Sequence, residues 1–212
     1  MIFRLDERLL FPDPELAEPD GLLAIGGDLS TERLLLAYQN GIFPWYSDES
    51  PVLWYSPHER FVLYPGELRI SKSMKQVLRS GKFSITADKC FNEVIASCSA
   101  AKRKEQNGTW ITPDMQTAYI ELYKKGYAHS VEVWLRHELV GGLYGVEVGA
   151  VFCGESMFSK VSNASKVALI YLCQTGLYKL IDCQLHTAHL ESMGARLIIR
   201  EQYTSMLQDE LF

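Results

Sequence analysis

The sequence predicts an α+β fold in which helices cover a mostly antiparallel sheet, and three observations carry that expectation. From His129 the apolar period becomes two, with Val131, Val133 and Leu135 alternating with Glu132, Trp134 and Arg136. Two further apolar runs follow at hairpin spacing, 139–146 beyond His137-Glu138 and 151–155 beyond Gly149, so the three read as a meander. Helical and extended segments then take turns, completing the order ββ(β)αβαβ.

The elements follow in chain order. At roughly 150 residues per domain, 212 residues make one large domain or two small ones. Residues 1–60 are expected to form a small N-terminal domain. They are interrupted by Pro12, Pro14, Pro19, Gly21, Gly26, Gly27, Gly41, Pro44, Pro51 and Pro57, which leaves room for one good helix at about 31–40. Ser30 caps it, Glu32 lies in its first turn and Gly41 stops it. Residues 61–212 are expected to form the second domain, entered through a basic helical segment. Helices are predicted over 72–80 and 91–101, and Thr112-Pro113-Asp114 opens another to about Lys125, with Pro113 tolerated in the first turn and Gly126 ending it. After the meander come a helix capped near Ser162 or Asn163 and stopped at Gly176, a strand over 180–184, a helix over 186–193 ended by Gly194, a strand over 195–200 and a helix from Gln202.

Composition excludes several classes. With 47% hydrophobic and 22% charged residues the chain is neither disordered nor fibrous. No run of 18 apolar residues is present and the first 11 residues carry four charges, so a cytoplasmic location without membrane contact is expected. Cys90, Cys98, Cys153, Cys173 and Cys183 are odd in number and form no C-x-x-C, which suggests buried thiols. His129, His186 and His189 lack zinc spacing, and no metal is expected. The net charge of -5 is uneven: residues 61–110 hold 9 basic against 4 acidic side chains, while both flanks are acidic. Such a middle leaves an RNA partner open.

Five motifs could carry chemistry. Gly26-Gly27-Asp28 lacks both the G-x-G-x-x-G pattern and the Walker lysine, so it reads as a turn. Gly41-Ile42-Phe43-Pro44-Trp45-Tyr46, Trp54-Tyr55-Ser56-Pro57 and Trp110 place aromatic rings in loops, where they either pack a core or stack on bases. Lys72, Lys75, Arg79 and Lys82 are spaced 3, 4 and 3, which aligns them on one face of a helix that runs that far; Lys102, Arg103 and Lys104 follow. They are either a solvated face or a phosphate contact. Glu155 sits in an apolar run and must meet a cation, an amine or several donors. Asp182 and Gln184 share a strand face by period two, which suits a hydrogen-bonded catalytic pair or a satisfied edge pair. Gly154-Glu155-Ser156-Met157-Phe158 is not a nucleophile elbow.

These motifs, together with Thr109-Trp110-Ile111, His129-Ser130-Val131-Glu132-Val133-Trp134, Leu139-Val140-Gly141-Gly142-Leu143-Tyr144-Gly145, Cys153-Gly154-Glu155-Ser156-Met157-Phe158-Ser159, Asn163-Ala164-Ser165-Lys166 and Asp182-Cys183-Gln184, resemble the bacterial leucyl/phenylalanyl-tRNA-protein transferases over nearly the whole chain. The resemblance implies a C-terminal domain similar to the GNAT (acyl-CoA N-acyltransferase-like) fold. It also implies transfer of Leu or Phe, less readily Met, from Leu-tRNA or Phe-tRNA to proteins beginning with Arg or Lys, feeding N-end-rule degradation. It places Tyr38, Trp45 and Trp110 around the terminal adenosine, and Leu143 with its neighbours around the aminoacyl side chain. Tyr119, Phe152, Glu155 and Met157 complete the substrate-binding set, Asp182 and Gln184 are catalytic, and Lys72, Lys75, Arg79 and Lys82 are the expected contacts to the tRNA backbone. No cofactor and a monomer are expected. An acyl-CoA enzyme normally carries a Q/R-x-x-G-x-G/A loop for the pyrophosphate, which this sequence lacks. A bare RNA-binding module leaves Glu155, Asp182 and Gln184 idle.

Overall fold

Two sheets organise the computed structural model, which describes residues 2–101 and 111–208. In the first part of the chain lie β1 (Phe3–Leu5), β2 (Leu22–Gly26), α1 (Thr31–Gln39), β3 (Phe43–Pro44), β4 (Leu53–Tyr55), β5 (Glu59–Leu63), α2 (Lys72–Arg79), β6 (Ser84–Ala87), α3 (Phe91–Ser99) and α4 (Pro113–Lys124). The meander follows as β7 (Ala128–Leu135), β8 (Glu138–Val148) and β9 (Val151–Ser159), and then come α5 (Ala164–Gln174), β10 (Leu180–Asp182), α6 (Ala188–Ser192), β11 (Arg196–Ile199) and α7 (Arg200–Gln208).

The caps are those the sequence supplies. The side chains of Ser30 and Thr112 accept from the N–H groups of Arg33 and Met115, each closing the first turn of its helix. Four short strands form a small sheet in the order β1-β2-β4-β3, and the other seven form the order β11-β5-β10-β9-β8-β7-β6. In the large sheet only β9 and β10 pair in parallel, since a helical crossover joins them; its other pairs are antiparallel.

Alternation assigns the two faces. Phe61, Leu63, Val131, Val133, Phe152 and Ile181 meet α2, α5 and α6 on one side. Val62, Val146, Val151, Cys153 and Ile198 meet α1, α3, α4 and α7 on the other, where the small sheet also packs through Leu23, Ala24 and Trp54. β5 belongs to the large sheet, and residue 60, the expected domain boundary, lies within it.

Two sequence expectations fail. The helix carrying Lys72, Lys75 and Arg79 ends at Arg79, and Gly81 turns the chain with φ of 63°, so Lys82 is not on its face. The tenth strand stops at Asp182, and Gln184 has a left-handed backbone with φ of 59°. The two side chains therefore do not share a strand face. Strand periodicity could not register a turn made by a residue other than glycine.

Candidate active site

A cavity of about 520 Å³ opens where β8, β9 and β10 face α5 and the segment that leads into α6. Its apolar wall consists of Leu143, Phe152, Met157, Leu169, Leu172, Ile181 and Leu190, and Phe43, Pro44 and Trp45 reach it from the small sheet. Glu155, Asp182 and Gln184 supply the polar wall.

A β-bulge lies at Glu155. Tyr144 pairs with Ser156 and Gly145 with Gly154, so Glu155 is the extra residue of β9. Glu155 keeps the face of Val151 and Cys153, towards α1 and α4, and the inserted residue shifts the alternation beyond it, so that Phe158 lies on that face and Met157 on the opposite one. Glycine at 145 permits it: a Cβ there would lie 2.3 Å from the Cys153 carbonyl oxygen and 2.6 Å from the Phe152 ring.

One hydrogen-bonded chain runs through the polar wall. The hydroxyls of Tyr38 on α1 and Tyr119 on α4 are 2.5 Å apart, and Tyr119 donates to Glu155 Oε2 at 3.0 Å. Gln184 Nε2 donates to Glu155 Oε1 at 2.7 Å, and the Gln184 backbone N–H donates to Asp182 Oδ1 at 2.9 Å. Asp182 also accepts from Arg60 Nε at 3.3 Å, Arg60 Nη2 at 2.5 Å and the Tyr203 hydroxyl at 2.9 Å. Arg60 is anchored in turn, through Nη1 to the Gly41 carbonyl at 2.9 Å and between the rings of Phe43 and Tyr203 at 4.7 and 4.5 Å.

Burial sets the electrostatics. Asp182 and Arg60 are 0% and 1% exposed, so each charge depends on the other. Burial alone would lower the Arg60 pKa, but Asp182 drives it well above its usual value. Burial pushes the Glu155 carboxyl up to about 7, against the pull of Tyr38, Tyr119 and Gln184 as donors, and the Asp182 charge adds to the rise. That is the range in which a carboxyl can both take and give a proton near neutral pH. Among the described residues no group of three or more His, Cys, Asp or Glu side chains is placed to hold a metal ion.

Seven of the expected site residues, Trp45, Leu143, Phe152, Glu155, Met157, Asp182 and Gln184, line this cavity. Tyr38 and Tyr119 do not: they are buried behind Glu155 and reach the cavity only through it. Trp110, like Lys102, Arg103 and Lys104, lies outside the described residues. Lys72, Lys75, Arg79 and Lys82 are exposed and away from the cavity lining. The site also includes Arg60, Tyr203 and Leu169, which sequence reasoning missed. Arg60 could have been noticed as a cation against the apolar run 61–63, but its partner becomes apparent only when β5 pairs with β10.

Known relatives identify the family. Residues 62–208 match the family model "Leucyl/phenylalanyl-tRNA protein transferase", and residues 27–58 match the model of that family's N-terminal domain. A leucyl/phenylalanyl-tRNA–protein transferase of Syntrophobacter fumaroxidans is 55% identical over 99% of this chain and 91% of its own length. Another, of Flavobacterium johnsoniae, is 53% identical over 99% of this chain and 100% of its own. The crystal structure of FemX covers 83% of this chain and 70% of its own at 8% identity and a TM-score of 0.47, a likeness too low to carry an argument. With the family model spanning the large sheet and its helices, and relatives above 50% identity spanning nearly every residue, the chain belongs to the leucyl/phenylalanyl-tRNA protein transferase family and is an aminoacyltransferase that moves an aminoacyl group from tRNA to protein.

Proposed function

We propose that this enzyme transfers Leu or Phe, and less readily Met, from aminoacyl-tRNA to the N-terminal Arg or Lys of acceptor proteins, marking them for N-end-rule degradation. One observation carries the reading. The cavity is apolar along Leu143, Phe152, Met157, Leu169 and Leu172 and ends in the hydrogen-bonded set Glu155–Gln184–Asp182. An isobutyl, benzyl or thioether side chain fits the apolar part, which leaves the ester carbonyl beside the polar end.

The chemistry asks little of the protein. The aminoacyl ester is already activated, so amide formation requires no ATP, metal or acyl-enzyme. An α-amine with a pKa of about 7.7 to 8.0 is partly neutral near pH 7. Holding the two substrates together supplies much of the acceleration. In this proposal Gln184 orients the attacking amine, and the buried charge of Asp182 balances the positive charge carried by the nitrogen. Trp45 stacks on the terminal adenosine with Trp110, while Tyr38 and Tyr119 act through Glu155. Lys72, Lys75, Arg79 and Lys82 contact the tRNA backbone, and the arginine or lysine side chain of the acceptor meets an acidic surface. The GNAT-like arrangement of the second domain, the split near residue 60, the monomer and the cytoplasmic location belong to the same proposal. Among the described residues no helix is long and apolar enough to cross a membrane.

The test is incubation with Leu-tRNA, Phe-tRNA or Met-tRNA and peptides beginning with Arg, Lys or Glu, without ATP or CoA. Mass gain at the N-terminus of the Arg and Lys peptides, greatest with Leu and Phe, is the expected result. Equal gain on the Glu peptide would contradict the acceptor assignment.

A further inference from the structure

Two carboxylates face this reaction, and their surroundings differ in one decisive respect. A carboxylate offers about four lone-pair positions. At Asp182 all four are filled: Oδ1 by Arg60 Nε and the Gln184 N–H, and Oδ2 by Arg60 Nη2 and Tyr203. The guanidinium cannot swing aside, because Gly41, Phe43 and Tyr203 hold it from three directions. Glu155 instead accepts one direct bond on each oxygen, from Gln184 and from Tyr119, with Tyr38 a third and more distant donor and no cation bonded to it, so its lone-pair positions are not all filled.

Resting on the reading above, we propose that Glu155 is the group that takes the proton released by the acceptor amine, and that Arg60 makes Asp182 a fixed anion that positions Gln184. The steps balance. An acceptor ammonium carries three protons; the first goes to solvent as the amine becomes neutral. The nitrogen lone pair then forms the C–N bond at the ester carbonyl, and Glu155 takes the second proton from that nitrogen. When the C–O bond to the ribose breaks, the protonated Glu155 gives this proton to the departing oxygen. The third stays on the amide.

The groups around Glu155 leave it free to titrate. Tyr38 on α1, Tyr119 on α4 and Cys153 on its own strand are all driven up in pKa by burial first, and stay neutral near pH 7. From β10, Asp182 is the anion whose charge Glu155 feels. The carboxyl therefore changes state near the pH at which the acceptor amine does.

The experiment measures kcat against pH, with Leu-tRNA and an Arg-initiated peptide saturating, for the wild type and for Glu155→Gln, Asp182→Asn and Tyr203→Phe. Glu155→Gln is expected to lose the limb near pH 7 and about 10² to 10⁴-fold in kcat, with the peptide KM little changed. Asp182→Asn and Tyr203→Phe are expected to lower kcat and keep that limb; Tyr203→Phe serves alone if Asp182→Asn does not fold. A limb common to every variant belongs to the acceptor amine. If Glu155→Gln keeps the limb near 7, or raises the peptide KM at unchanged kcat, Glu155 is a binding group and the proposal fails. A limb that moves only in Tyr203→Phe or vanishes only in Asp182→Asn would identify Asp182 as the base. A wild type that transfers no leucine overturns the underlying reading, and is told apart because no variant is needed to see it.

Discussion

Gln184 adopts a left-handed backbone, φ 59°, and in that conformation its N–H donates to Oδ1 of Asp182 over 2.9 Å while its side chain turns to Glu155. A residue other than glycine held there costs on the order of 1 kcal/mol or more, a strain that surrounding structure sustains at functional sites. The two residues therefore act as one unit. Asp182→Ala, Gln184→Ala and the double variant are expected to slow leucyl transfer by similar factors at saturating substrate. Losses that multiply in the double variant would show two independent roles.

Arg60 and Asp182 are each buried with no other full charge bonded to them among the described residues. Removing one strands the other, which costs about 3 to 5 kcal/mol. Arg60→Met should lower the midpoint of chemical denaturation sharply, and Arg60→Met with Asp182→Asn should recover part of the loss. A single variant as stable as the wild type would mean that water or another group reaches Asp182.

Glu155 gives a pH dependence of stability with a definite sign. Its carboxyl is raised from 4.5 in the reference state to about 7 in the fold, so the native state holds the proton more tightly between those values. Stability contributed by this group is greatest at the acid end and falls as pH rises through the window, by up to about 3 kcal/mol. Glu155→Gln removes the dependence. The variant is expected to be more stable than the wild type at pH 8 and to lose that advantage towards pH 4.5, read by urea denaturation at both pH values. The Tyr119 hydroxyl can turn to accept from the new amide, so no donor is left facing a donor.

Trp45 lines the cavity, is only half-buried and meets Tyr55 edge-on at 5.6 Å. If it stacks on the terminal base, Trp45→Ala weakens donor use by about 1 to 3 kcal/mol with the fold retained, and Trp45→Phe keeps part of the effect. The KM for Leu-tRNA against the thermal midpoint separates this from loss of packing.

The sequence was most legible where physics is local. Ser30 and Thr112 announced their helices, and the alternation from Val131 announced the meander. Glu155 was recognisable as a buried acid in need of donors, because no apolar strand leaves a carboxylate bare. What stayed hidden depended on contacts far apart in the chain. Arg60 lies 122 residues from Asp182, and only the β5–β10 pairing joins them. The bulge at Glu155 is a register shift that no periodicity reports. Gln184 follows apolar neighbours that mimic a strand, while its backbone turns with its N–H bonded to Asp182.

If transfer runs directly from the tRNA ester to the acceptor amine in this cavity, tRNA discharge and peptide formation are one event. The most direct measurement is a single turnover at pH 7.5 with labelled Leu-tRNA and an Arg-initiated peptide, with neither ATP nor CoA, counting leucyl-peptide formed against tRNA deacylated. One leucyl-peptide for each tRNA discharged, and no label on the enzyme, is the expected result. Free leucine without product, or leucine bound covalently to the protein before the peptide is added, would contradict it.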